Sequence, residues 1–184
     1  MEDNICPVWV GYFLSSPLRK LSQNPKKILA PYIKEKMWVL DAGCAMGFFS
    51  IPIARMVGKD GRVISVDIQP KMIERLEKKA KRAGLSEIID ARVCTSSSLG
   101  LRDFEGKIDF ALAFAVVHEV SDQMSFFSEI YELLKPGAMF LVAEPKSHVS
   151  KEAFRATVSN AEKRGFKIVD SPEISRSRST LLIK

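Results

Sequence analysis

The chain has 184 residues, enough for one domain with a sizeable core, and 46% of them are apolar, within the ordinary globular range. Its formal charge of +6 raises nucleic acid as a partner, a question settled by where the charge sits. No apolar run approaches the roughly 20 residues that span a bilayer, so no membrane partner is expected.

Much of the positive charge falls between residues 71 and 82, where Glu74 and Glu77 interleave with lysines and arginines. On a helix that pattern is a solvated face laced by i,i+4 pairs. A second group, Arg19, Lys20, Lys26, Lys27, Lys34 and Lys36, lies in the N-terminal segment, and a solvated surface is preferred there over a patch for an acidic partner. Cys6, Cys44 and Cys94 are scattered and lack metal-ligand spacing, which predicts reduced thiols and no metal. The polar opening Met1-Glu2-Asp3-Asn4 argues against a secretory signal, and the expected location is the cytoplasm.

Residues 1–36 carry Trp9, Tyr12, Phe13, Pro17, Leu18 and Leu21 and are too apolar for a disordered tail. Asn24 as N-cap and Pro25 at the first position predict a short helix reaching Ile33. This helical extension is read either as a lid over the glycine loop or as cover for one face of a sheet. From Met37 a domain over 37–184 begins. Met37 to Leu40 is a strand ending in Asp41; Gly43 and Gly47 then turn the chain, and Phe48 to Val57 suits a buried helix. Glycines there let the backbone turn sharply and approach a ligand, and the helix start is expected to present unpaired N–H groups. Val63 to Val66 is a second strand, ending in Asp67, an acid about 20 residues past the loop and suited to ribose hydroxyls.

Further along, Pro70 to Ala83 is a helix closed by Gly84. Ile88 to Val93 and Ile108 to Phe114 are strands. Asp122 or Gln123 to Leu134 is an amphipathic helix with Phe126, Phe127, Ile130, Leu133 and Leu134 at helical spacing. It stops at Lys135-Pro136-Gly137. Ala138 to Ala143 is a strand, Ser150 to Arg164 a helix, and Phe166 to Val169 and Thr180 to Ile183 are late strands around a polar loop holding Arg176 and Arg178. The alternation predicts an α/β, doubly wound, mostly parallel sheet with helices on both faces.

An acid at the first strand tip is ill placed for a pyrophosphate, and the glycines at Gly43 and Gly47 do not make the G-x-G-x-x-G of a dinucleotide loop. A cationic partner suits Asp41 better. S-adenosylmethionine offers ribose, adenine, an ammonium and a sulfonium, and no phosphate. Here the stretch D-A-G-C-A-M-G, residues 41–47, resembles the first motif of the class I S-adenosylmethionine-dependent methyltransferases, D/E-x-G-x-G-x-G. It departs once, at Ala45; if that position is left-handed, alanine costs roughly 1–2 kcal/mol. L-L-K-P-G before the fifth strand and R-G-F-K-I-V into the sixth are also similar to that family. The stretch A-F-A-V-V-H-E-V-S-D, residues 113–122, resembles its small quinone-biosynthesis branch.

The resemblance implies a Rossmann-like fold of seven strands with the last antiparallel. It also implies S-adenosylmethionine as cofactor and in-line methyl transfer to a small-molecule acceptor. It places Asp41 on the methionyl ammonium, Gly43, Cys44 and Gly47 in the cofactor loop, Asp67 on the ribose diol and Ile68 against the adenine. Phe114 would flank the methionine. The family often has an acid after strand three for the adenine amine; Thr95 and Ser96 stand there instead. His118 is a candidate proton acceptor or a backbone-bonded helix-start histidine, and Glu144 a second catalytic candidate or the partner of an arginine such as Arg178. Two other functions compete. RNA methylation is motivated by the charge, against which there is no N-P-P-Y-type motif and Glu144 replaces the lysine of ribose methyltransferases. A cofactor-binding partner subunit without activity is motivated by Ala45 and the missing acid. Acceptor atom and oligomeric state are not encoded in any motif.

Overall fold

The computed structural model describes residues 23–184; the aromatic part of the predicted lid, Trp9 to Leu21, lies outside them, as do Cys6, Arg19 and Lys20. In chain order come α1 (Pro25–Leu29), β1 (Trp38–Ala42), α2 (Ser50–Val57), β2 (Arg62–Asp67), α3 (Pro70–Arg82) and β3 (Ile89–Val93). There follow β4 (Ile108–Phe114), α4 (Gln123–Leu133), β5 (Leu134–Pro145), α5 (Lys151–Arg164), β6 (Lys167–Asp170) and β7 (Ser177–Ile183). The strands form one sheet in the order β3-β2-β1-β4-β5-β7-β6. The first five are parallel, and β7 runs antiparallel between β5 and β6.

Central strands are apolar on both faces, as burial under helices on both sides requires. In β4, Phe110, Leu112 and Phe114 point into one core with Ile53 of α2 and Leu76 of α3. Ala111 and Ala113 point into the other, with Phe127 of α4, Phe140 and Ala161 of α5. The period of two in the strands thus divides one apolar run between two layers. On α3 the buried residues are Met72, Ile73, Leu76 and Ala80, and the charged remainder is solvated, with Glu74 and Lys78 paired one turn apart.

Asn24 caps α1, its side chain accepting from the N–H groups of Lys26 and Lys27. The helix ends at Leu29 rather than Ile33, because Pro31 has no N–H to continue the ladder; Ala30 before it keeps helical backbone and donates to the Lys26 carbonyl. Leu29 and Ile33 are buried, and Tyr32 stacks on Phe110 with centroids 5.7 Å apart. The described part of the extension therefore covers one sheet face.

Other boundaries move for tertiary reasons. The helix expected from Phe48 starts at Ser50, since residues 43–49 form a turn. β5 begins at Leu134, not Ala138: Leu134 pairs with Ile108, and a register shift before Phe110 absorbs Pro136 and Gly137. β7 begins at Ser177, not Thr180, so Arg178 lies on a strand, opposite Glu144. Strand order reverses at β1, between β2 and β4, and ligands of open α/β sheets bind outside the carboxyl ends of strands at such a point.

Candidate functional site

A cleft of about 210 Å³ opens there, floored by the ends of β1, β2, β3 and β4. On one side stand Gly43, Cys44, Ala45, Phe48 and Phe49 of the glycine turn; on another, Asp67, Ile68, Gln69 and Met72. Cys94 to Leu99, Phe114 to Val116 and the start of α4 close the rest. Four carboxylates line it (Asp67, Glu119, Asp122 and Glu129), and among the described residues no lysine, arginine or histidine does.

Asp41, at the tip of β1, is 2% exposed and lies behind this lining. Its Oδ2 accepts from the Ser50 hydroxyl at 2.6 Å, so the first residue of α2 tethers the acid. Burial pushes its pKa up to about 6; Ser50 opposes the rise and the charge of Asp67 adds to it. Asp67 is held by both oxygens: Oδ2 accepts from the Ala45 N–H and Oδ1 from the Gln69 N–H, each at 2.9 Å. Burial raises its pKa against those two hydrogen bonds. The carboxylate is thus locked in one orientation at the cleft wall while each oxygen keeps accepting capacity.

In the glycine turn, ahead of the helix start, four N–H groups are already engaged. Gly43 and Cys44 donate to the Val66 carbonyl, Gly47 to the Cys44 carbonyl and Ala45 to Asp67. A loop that grips a pyrophosphate must leave such amides open; these are engaged. Ala45 has φ +45°, the left-handed backbone that alanine adopts at a cost of about 1–2 kcal/mol. Gly43 has φ +74°, and a Cβ there would meet Val116 Cγ2 at 2.5 Å. The glycine therefore sets how closely the β1 and β4 tips approach.

At the ends of β4 and β5, Glu144 is fully buried. It accepts from the N–H groups of Val116 at 3.2 Å and Val117 at 2.8 Å, and from Nδ1 of His118. Its partner is His118; Arg178, the neighbour considered from sequence, donates instead to the Val149 carbonyl. The Glu144 hydrogen bond raises the His118 pKa above its ordinary value, with burial opposing. His118 Nε2 lies 3.9 Å from Glu119 Oε1. Glu119 lines the cleft, and burial raises its pKa while His118 lowers it. His148 packs edge-on to His118, centroids 6.1 Å apart.

Of the residues singled out in the sequence, Gly43, Cys44, Asp67, Ile68, Thr95, Ser96 and Phe114 line the cleft. Asp41, Gly47, His118 and Glu144 lie behind its lining, and no residue of 23–36 reaches it. Sequence reasoning missed Ser50, Glu119 as a lining group, and Glu129. Glu119 and Glu129 belong to a loop and a helix face that periodicity reads as solvated, and only the tertiary fold brings them to the strand tips.

The methyltransferase domain family matches residues 33–174. The ubiquinone biosynthesis O-methyltransferase of Methylocella silvestris is 31% identical over 150 residues, which are 80% of this chain and 56% of that protein. The chain belongs to the class I S-adenosylmethionine-dependent methyltransferases. It spans about half the length of the curated relatives it matches. Among solved structures, a methyltransferase from Aquifex aeolicus shares the fold with a TM-score of 0.85 at 23% identity, covering 97% of this chain and 98% of its own. One from Methanococcus maripaludis does so with a TM-score of 0.78 at 15% identity, covering 100% and 97%.

The cofactor of this methyltransferase family fits the cleft on the cleft's own terms. A sulfonium and an ammonium suit a lining with carboxylates and no cationic side chain, and a nucleoside without phosphate makes no demand on the engaged amides of the turn.

Proposed function

We propose that the chain transfers a methyl group from S-adenosylmethionine to a small-molecule acceptor. The observation that carries this reading is the cleft's charge: Asp67, Glu119, Asp122 and Glu129 line it without a cationic side chain among the described residues. The bound cofactor supplies an activated methyl group on a sulfonium. Asp67 accepts from the ribose hydroxyls with the capacity its backbone bonds leave, and Ile68 covers one face of the base. Asp41 acts through the turn, its buried charge drawing the ammonium toward β1. Phe48, Phe49, Phe114 and Val116 form the apolar part of the lining, which excludes water from the line of transfer. Holding acceptor and methyl group in line is worth up to roughly 7–11 kcal/mol, so no further catalytic group is obligatory.

A hydroxyl acceptor must lose a proton, and Glu119 is the lining carboxylate placed to take it. His118 Nε2 stands behind Glu119, and Glu144 holds the imidazole by Nδ1. The name of the relatives points to an oxygen acceptor in ubiquinone biosynthesis, and hydroxylated aromatic rings are the class to try first. RNA is disfavoured because its phosphates would face a rim of carboxylates.

The test supplies S-adenosylmethionine carrying a labelled methyl group to the purified chain with dihydroxybenzenes and, in parallel, with total RNA. Label on a hydroxylated ring is the expected result. Label on RNA overturns the small-molecule reading, and tight cofactor binding with no transfer to any class leaves the non-catalytic partner subunit as the function.

A further inference from the structure

The tip of β3 carries no acid: the residues that follow it are Cys94, Thr95, Ser96, Ser97 and Ser98. Nor is the Thr95 hydroxyl open to a ligand, since it accepts from the Ser98 N–H at 3.0 Å and lies 3.2 Å from the Ser98 carbonyl and the Ser97 hydroxyl. It is engaged in closing its own turn.

A carboxylate nevertheless reaches this place from another element. Glu129, on the face of α4 turned to the cleft, is half-buried and lines the cleft beside this turn. Its Oε2 accepts from the Leu99 N–H at 2.8 Å and the Ser98 hydroxyl at 3.1 Å. Its Oε1 has no donor among the described residues. The Cys94 thiol, at the strand tip, is raised to about 11 by burial and Asp67, with the charge of Glu129 adding to it. Two fixed donors on one oxygen hold the side chain in a single orientation. The other oxygen stays available to a ligand.

We propose that Glu129, reaching across from α4, reads the exocyclic amine of the cofactor's nucleobase in place of an acid on β3. This rests on the reading of the cleft as an S-adenosylmethionine site. A carboxylate accepts from an amine and is repelled by a carbonyl oxygen at the same position, because it offers no donor when ionised. The site should therefore select adenine over hypoxanthine, and the selection should follow residue 129. Glutamine there keeps an acceptor for Leu99 and offers a donor to the base, so it should accommodate the carbonyl.

The experiment is calorimetric titration of the full chain with S-adenosylhomocysteine and with S-inosylhomocysteine, which carries a carbonyl where the amine was. Wild type should prefer the adenosyl ligand by about tenfold or more, the ratio expected of one charge-assisted hydrogen bond. E129Q should bring the two affinities to within about threefold of each other or reverse their order. A wild type that binds both ligands equally overturns the proposal without recourse to any variant. So does an E129Q protein that keeps the wild-type preference, since the amine is then read elsewhere. Failure of wild type to bind either ligand overturns the cofactor reading itself, and this inference with it.

Discussion

At Asp41 the opposition between burial and charge has a measurable consequence. Its folded pKa of about 6 stands above the ordinary 3.8. The acid therefore favours the folded state fully below pH 3.8, and that contribution is lost as pH rises through 6. At neutral pH the ionised, buried carboxylate costs at most about 3 kcal/mol. Asn at this position keeps an acceptor for Ser50 and removes the charge. D41N is predicted to be about 1–3 kcal/mol more stable than wild type at pH 7.5 and no more stable at pH 4, by urea unfolding. It should also bind S-adenosylmethionine more weakly, and the fall in wild-type affinity as pH drops through 6 should be absent from the variant. A stability gap of the same size at both pH values would mean that the charge of Asp41 is not its source. Ala45 carries a separate local penalty: with φ +45°, A45G should raise stability by about 1 kcal/mol, the left-handed cost of alanine less the flexibility of glycine. An unchanged or lower melting temperature would contradict that.

Among the elements, the junction of the β4 and β5 tips depends on one side chain. Glu144 is the acceptor for two backbone N–H groups and for His118, so the turn at 117–119 that carries Glu119 is fixed from behind. E144A leaves these donors in a buried site without an acceptor and should destabilise the fold by about 3 kcal/mol or more, measured by denaturant unfolding. E144Q keeps an acceptor and should cost less, while the His118 titration, followed by NMR of the imidazole, moves down toward its ordinary value. The sign follows from the raised His118 pKa. Its pairing with Glu144 stabilises the fold fully below the unfolded value near 6.5 and is lost as pH rises through the folded value. Wild type should therefore lose stability as pH rises above about 6.5 and through the raised folded value, and E144Q should lose less of it. An imidazole that titrates identically in both proteins would show that the pair is not formed in solution.

For the whole molecule, the sheet was legible because its signals are local: apolar runs of strand length, the glycines at Gly43 and Gly47, and acids at Asp41 and Asp67 where strands end. The strand that extends across Pro136 and Gly137 was not, because its pairing partner, Ile108, is set by register and not by neighbouring residues. The candidate site divides the same way. Asp67 and Ile68 follow from their distance to the turn. Ser50 on Asp41, Glu144 on His118 and Glu129 on Leu99 join residues with no fixed sequence spacing, and two polar groups that satisfy each other leave no periodic trace. The formal charge of +6 proved a poor guide to the site, since among the described residues much of the positive charge sits on α3 while the cleft is acidic. No helix among the described residues is long and apolar enough to cross a membrane. The proposed function requires a cleft that takes a cationic nucleoside and refuses a pyrophosphate. Its most direct test is calorimetry of the chain with S-adenosylmethionine and, separately, with nicotinamide adenine dinucleotide. Saturable binding of the first and none of the second is predicted; heat from the dinucleotide alone, or competition between the two for one site, would contradict it.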